Sequence, residues 1–467
     1  MLLSPARKKR WRYAAYHKFS QLKRFFKKSI PLILLTVGAT LVALSSLFFA
    51  HLADYALLKN VEWVQDKWWY AWLVLPLGLV VIVWLTRTFA PYTSGSGIPQ
   101  VIAGMELPLK QRLRLVGFKQ TLLKIPLTFL GMFVGASTGR EGPSVQVGAA
   151  VMLAWGRFCR KHGWFVRTWH GHYLLAAGAA GGLAAAFNAP LAGVIFAIEE
   201  LGRGLKLRWQ RQIFICILIA GFVRVALEGN NPYFKHFQGD EITHMVWWVI
   251  VFGILCGITS GLFARALFKG PTWLLPSHFR GWIRKHPLWL AAILGLLLAA
   301  LGSLSQGTSY GTGYQFASAG LQGESGLLGA SVAKWLATVF SYWSNIPGGI
   351  FTPCLTIGAM MGQDLAQLFN MYDATNIIVL LCMAAFLSGA TQAPLTSSVV
   401  VMEMTDSQSL LFWMLIACII AAQISKQFNP RPFYHAAGER FRRLIQQQAH
   451  EAQKHSQGPT PPAQKPS

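Results

Sequence analysis

Gly139-Arg140-Glu141-Gly142-Pro143 stands beside an apolar region. Proline suits the first turn of a helix, where its missing N–H costs nothing. Glycine lets the backbone approach an ion closely and take otherwise strained angles. The first N–H groups of a helix have no internal partner, and the helix dipole places about half a positive charge there. A small-residue turn that enters a helix in an apolar setting therefore predicts an exposed positive helix end inside a membrane. Irregular backbone survives there only when buried in protein or lining a cavity.

Three more segments share this construction: Ser94-Gly95-Ser96-Gly97-Ile98-Pro99, Gly348-Gly349-Ile350-Phe351-Thr352-Pro353 and, less cleanly, residues 429–434. Several such helix starts meeting at mid-membrane make an anion site without a full positive charge. A fixed cation would hold the ion too tightly for turnover, whereas partial dipoles permit release.

The rest of the chain supplies the membrane. Of its 467 residues 53% are hydrophobic and 13% charged, against about 25% charged in soluble proteins. Apolar runs recur at 31–50, 69–85, 246–268, 288–304 and 410–424, and a helix needs roughly 20 apolar residues to cross a bilayer. The first run is too long for a cleaved signal peptide. Residues 11–28 before it suggest an amphipathic surface helix. Polar connections are expected at 59–67 and 228–241, where Trp63, Trp68, Trp69, Trp247 and Trp248 fit the interface.

The net charge of +25 resides largely outside these runs. Ten Lys and Arg residues precede residue 30 without an acid among them, and the end is basic at Arg440, Arg442, Arg443 and Lys454. Basic flanks stay cytoplasmic, so both termini are predicted inside, with an even number of crossings. No soluble domain is visible to carry nucleic-acid binding. The expected division is a basic cytoplasmic segment at 1–29, a transport domain at 30–445 and a disordered cytoplasmic tail at 446–467. No accessory cytosolic domain is expected.

A weak repeat divides the membrane domain. Ala189-Pro190-Leu191 recurs as Ala393-Pro394-Leu395, followed at equal spacing by Glu199 and Glu403. Upstream of each copy lies a Gly-rich, proline-marked turn. Broken segments at matching places in two halves predict inverted repeats with binding near the midplane. The fold class is thus an all-α polytopic membrane protein, in two inverted-topology halves of tilted, broken helices.

The ordered series Gly-Ser-Gly-Ile-Pro at 95–99, Gly-Arg-Glu-Gly-Pro at 139–143, Gly-Gly-Ile-Phe-Thr-Pro at 348–353 and a late tyrosine resembles the CLC family of chloride channels and chloride/proton antiporters, over roughly residues 30–445. The resemblance implies a homodimer with one anion pathway per subunit. It implies that Glu141 is gate and outer proton relay, since a carboxylate can take an anion's place and leave it when protonated. An ionisable group inside a membrane is a functional candidate in its own right; the bland alternative is a salt bridge to Arg140. The resemblance also implies that Ser96 and Tyr434 donate hydroxyl hydrogen bonds to the anion, joined by backbone at Ile350 and Phe351. Gly139, Arg140 and Gly142 complete the expected anion-binding set. Serine at 96 favours chloride, because nitrate and fluoride branches commonly depart from it.

Glu200 resembles the inner proton acceptor of the antiporter branch, with a solvated helix end as its alternative. Glu199 reads better as a structural acid. Many antiporters carry acids just after the first Ile-Pro, where this chain has Gln100 and Ile102, with an acid only at Glu106. The expected function is exchange of chloride for protons, with a passive chloride channel gated by Glu141 as the alternative. A membrane-embedded enzyme would need a nucleophile–base pair or metal ligands, and no such pairing is visible. His170 and His172 lack an acid or thiol nearby, and the six cysteines form no C-x-x-C pair, so neither metal nor cofactor is expected. The expected partners are chloride, protons and lipid, and the compact layout suggests a bacterial inner membrane.

Overall fold

A computed structural model describes residues 5–67, 69–164, 169–203, 211–234, 237, 246–273 and 277–456. Among these the first half contains α1 (Pro5–Asp66), α2 (Tyr70–Phe89), α3 (Ile98–Glu106), α4 (Leu109–Val116), α5 (Phe118–Phe133), α6 (Glu141–Lys161), α7 (Gly171–Phe187), α8 (Pro190–Phe196) and α9 (Arg211–Glu228). The second contains α10 (Val246–Lys269), α11 (Ser277–Lys285), α12 (Pro287–Leu304), α13 (Tyr314–Leu321), α14 (Ala330–Trp343), α15 (Phe351–Leu368), α16 (Thr375–Thr391), α17 (Pro394–Thr405), α18 (Leu411–Phe428) and α19 (Phe433–Ser456). Among the described residues six helical segments are long and apolar enough to cross a membrane: Ser29–Val64, Tyr70–Phe89, Val246–Lys269, Pro287–Leu304, Tyr372–Thr391 and Gln408–Phe428. Of the helices that the broken turns open, α3 has only 9 residues, and α3, α6 and α15 are mostly buried, as segments sheltered by other helices can be.

Two expectations change at the ends. Residues 59–66 are not a loop, because α1 runs unbroken to Asp66. At the other end α19 continues to Ser456, so residues 446–456 are helical. Residues 457–467 lie outside the described residues, as do the side chains of the basic residues before position 29.

The inverted repeat is legible in matching local geometry. α7 and α16 both end on a left-handed residue, Asn188 at φ 54° and Gln392 at φ 59°. The following alanines, Ala189 and Ala393, have φ of −130° and −124°, and Pro190 and Pro394 then open α8 and α17. The acids of the repeat are exchanged between halves. Glu403 accepts from the backbone N–H groups of Leu191 (3.0 Å) and Ala192 (2.6 Å) at the start of α8. Glu199 accepts from those of Leu395 (3.3 Å) and Thr396 (2.6 Å) at the start of α17. Each carboxylate thus serves as a helix cap borrowed from the other half, satisfying donors that otherwise lack partners. Removing a cap costs about 1 kcal/mol. Glu403→Ala should therefore lower the thermal midpoint of the detergent-solubilised protein by a few degrees; an unchanged midpoint would remove these bonds from the account of stability.

Small residues bring the helices together. A Cβ on Gly148 of α6 would overlap the Gly178 carbonyl of α7, and one on Gly178 would overlap the Gly148 carbonyl. In the second half Gly358 and Gly362 of α15 sit against the backbone of α16 at Cys382, Met383 and Val379. Close backbone approach of this kind replaces the hydrophobic drive that lipid cannot supply.

Candidate functional site

Three of the four proline-marked segments, the three that contain glycine, meet. Gly139 and Gly349 exchange backbone hydrogen bonds, Gly139 N–H to Gly349 O at 2.7 Å and the reverse at 2.6 Å. This antiparallel bridge joins the turn before α6 to the turn before α15. Gly348 N–H donates to Gly95 O at 3.2 Å, and Gly95 N–H donates to Ile346 O at 3.0 Å. The fourth segment, 429–434, makes other contacts: Asn429 receives Gln392 Nε2 on its carbonyl at 2.7 Å and donates from Nδ2 to Gly261 O at 2.8 Å. It reaches the cluster through Tyr434.

The turn into α3 is held by Gln100. Its Oε1 accepts from Gly97 N–H at 3.0 Å, while Nε2 donates to Ser94 O at 2.7 Å and Tyr92 O at 3.3 Å. The missing acid at this position is thus a fully buried neutral side chain that shapes the turn. Gly97, at φ 110°, takes a conformation suited to glycine. Its neighbour Ser96 is packed on α6, since a Cβ on Gly142 would overlap Ser96 Oγ and its carbonyl.

Glu141 is the first residue of α6 and is fully buried. Its Oε2 accepts from Thr352 N–H, at the start of α15, at 3.3 Å, and its Oε1 has no hydrogen-bond partner among the described residues. A carboxylate from one half therefore rests on the positive helix end of the other. The salt bridge to Arg140 is not formed. Arg140 instead pairs with Asp54 at 2.5 Å, donates to Ala50 O at 2.6 Å and lies 5.6 Å from the Tyr233 ring centre. Its side chain is committed to that cluster, leaving the backbone as its route to the site.

Ile350 precedes α15 and Phe351 is its first residue; both are buried. Ser96 Oγ, Thr352 Oγ1 and Tyr434 Oη are buried without a hydrogen-bond partner among the described residues. Buried polar atoms of this kind are rare and call for a ligand or a function. Tyr434 opens the first turn of α19, packed against α3 where Gly438 faces the Pro99 carbonyl. Both Glu141 and Glu200 are among its electrostatic neighbours.

Glu200 lies in a π-turn, Ala197–Leu201, that continues α8. It is 1% exposed, and neither carboxylate oxygen has a hydrogen-bond partner among the described residues. The solvated-end reading fails for this side chain. Arg203 turns away to donate to Gln392 O at 2.5 Å. The extra residue of a π-turn re-aims side chains and recurs at functional sites; here consecutive acids take different jobs, Glu199 capping α17 and Glu200 pointing inward.

Sequence reasoning missed two buried lysines. Lys124 of α5 donates to Gly95 O (2.9 Å) and to Gln146 Oε1 (2.8 Å). Lys334 of α14 donates to the carbonyls of Ser309 (3.1 Å), Tyr310 (3.2 Å) and Gly311 (2.7 Å). The signal was a lysine set among apolar residues within a helix, costly unless partnered. The His170 and His172 rings stack at 5.7 Å, and the described residues contain no group of three or more potential metal ligands.

Two inverted halves that clasp each other through backbone at buried helix starts, with an acid on one of them, define an integral-membrane protein of the inverted-repeat transporter class. The chain belongs to the family described as Voltage gated chloride channel, whose model matches residues 77–426. Among curated relatives, the H(+)/Cl(-) exchange transporter ClcA of Klebsiella pneumoniae is 30% identical over 488 residues, covering 95% of this chain and 97% of that protein. ClcA of Salmonella agona is 29% identical over 470 residues, covering 94% and 95%. Among solved structures, a slow cyanobacterial Cl-/H+ antiporter superposes with a TM-score of 0.75 at 25% identity, over 88% of this chain and 98% of that one. A CLC-type fluoride/proton antiporter shares the fold, with a TM-score of 0.67 at 24% identity over 86% and 97%.

Proposed function

We infer that this protein exchanges chloride for protons across a membrane. The observation that carries the reading is the Glu141 carboxylate seated on the Thr352 N–H, where an anion would meet the same helix end. Deprotonated, Glu141 holds the seat. Protonated, it loses the charge that holds it there and yields to chloride, so one side chain both gates the anion and carries the proton. Ser96 and Tyr434 supply hydroxyls, and the backbone at Gly139, Arg140, Gly142, Ile350 and Phe351 supplies the remaining polar surface. Serine at 96 favours chloride as the substrate.

Glu200 serves as the inner proton relay. Its burial, with no ion pair among the described residues, suits a group that must gain and lose a proton. The basic flanks put both termini in the cytoplasm of a bacterial inner membrane, with residues 30–445 as the transport domain and residues 1–29 as a basic segment on the inner surface. The working unit is a homodimer with one pathway in each subunit.

The test is flux in liposomes. An imposed proton gradient should drive chloride uphill, and a chloride gradient should drive protons; chloride movement without protons would leave a passive channel. Glu200→Gln should reduce coupled proton flux to that of protein-free vesicles while chloride still moves. Undiminished proton flux would remove Glu200 from the pathway.

A further inference from the structure

The proton route just described ends at Glu200, and the structure places a titratable ring directly beside that residue. His435, next in sequence to Tyr434, sits with Nε2 at 2.8 Å from the backbone carbonyl of Glu200. A carbonyl only accepts, so Nε2 carries the hydrogen and donates. Nδ1 is then the nitrogen free to bind a proton, and the contact to Glu200 survives in both charge states. His435 is half-buried, in the first turn of α19, whereas Glu200 is enclosed.

We propose that His435 is the proton-entry residue of this protein, taking protons from the cytoplasm and passing them to Glu200. The proposal rests on the reading of Glu200 as inner relay. It also accounts for how this chain works with Gln100 and Ile102 where acids would otherwise surround the inner path. Gln100 is engaged in shaping its turn and Ile102 has no ionisable group.

The surrounding charges leave His435 able to titrate. Burial pushes the His435 imidazole below its ordinary value, while Arg203 beside the π-turn and Glu106 at the end of α3 act on it with opposite signs. Glu106 is paired with Arg442, and Glu439 with Arg431 and Arg443. On α10, Arg265 and Lys269 lie over the Trp273 ring, and Arg112 of α4 donates to the carbonyls of Gly104, Met105 and Leu107. The proton balance is simple. Nδ1 takes a proton from cytosolic hydronium, hands it on to the Glu200 carboxylate, which becomes the neutral acid, and returns to the neutral ring. An unperturbed imidazole titrates near pH ~6.5, close to the working range of such a relay.

The experiment compares wild type, His435→Gln, Glu200→Gln and the double variant Glu141→Gln/His435→Gln in liposomes over a series of symmetric pH values. Glutamine can keep the donor to the Glu200 carbonyl but cannot titrate. His435→Gln should slow coupled proton flux about tenfold, the lower part of the range for a general acid or base, and flatten its pH profile. The double variant should pass chloride as Glu141→Gln alone does, which separates proton supply from a damaged fold. Proton flux and pH profile equal to wild type in His435→Gln would overturn the proposal and leave Glu200 standing. Full coupling in Glu200→Gln would overturn both. If no His435 variant is obtained as a monodisperse protein, wild-type proton flux without an inflection on the acid side of the ordinary histidine value of about 6.5, the direction in which burial moves this ring, refutes it.

Discussion

Glu141→Gln is expected to abolish proton movement while chloride continues to flow. Glutamine keeps the size and planarity of the side chain, so packing at the start of α6 is preserved. It loses both the charge and the exchangeable proton. The Thr352 N–H then meets a neutral amide in place of a carboxylate. Hydrogen bonds to charged groups contribute about 1.5–3 kcal/mol, and neutral ones about 1. The side chain therefore holds the helix end less firmly, and chloride should gain access to it. Proton flux should fall to that of protein-free vesicles, a total loss, because Gln has nothing to hand on. Simultaneous recordings of chloride and pH from the same liposomes decide it. Coupled proton uptake in the variant would show that another group carries the proton past this point.

Gly142→Ala is the second large expected effect, and it acts through shape alone. The added Cβ would overlap both Ser96 Oγ and the Ser96 carbonyl, which leaves no flexible atom to yield. Forcing such a group into a packed site costs about 1–3 kcal/mol. The least costly relief is to push the Ser94–Gly97 turn away from α6, and that displaces the Ser96 hydroxyl from the helix starts at Gly139 and Gly349. Chloride affinity measured by calorimetry on the purified protein should fall roughly ten- to a hundredfold, the same 1–3 kcal/mol in binding terms. Ser96→Ala separates hydroxyl from geometry: it leaves the turn in place and removes one donor to a charged ligand, a loss of about 1.5–3 kcal/mol or roughly ten- to a hundredfold. Wild-type affinity in a well-folded Gly142→Ala protein would mean that Ser96 and α6 do not form one binding surface.

The turns and the membrane spans were legible in the sequence because both are local properties. Apolar run length, Gly-Pro punctuation and basic flanks are read within a few residues. The recurrence of Ala-Pro-Leu with an acid at fixed distance exposed the two halves in the same way. What the sequence withheld was long-range pairing. Glu199 could be recognised as structural, but not that it caps α17 while Glu403 caps α8. Nothing near Gln100 announces that it ties the turn holding Ser96. Lys124 and Lys334 look like interruptions of apolar helices until the carbonyls they bind are seen. The π-turn that separates the tasks of Glu199 and Glu200 has no sequence marker, since one extra residue in a helix leaves the composition unchanged.

The bridge between Gly139 and Gly349 makes Glu141 and Phe351 counterparts, each the opening residue of its helix, one from either half. A scaffold close to a palindrome would treat traffic from either face alike. An acid on one arm and a phenyl ring on the other break that equivalence at its centre, giving the passage a polarity, like a turnstile hinged at one post.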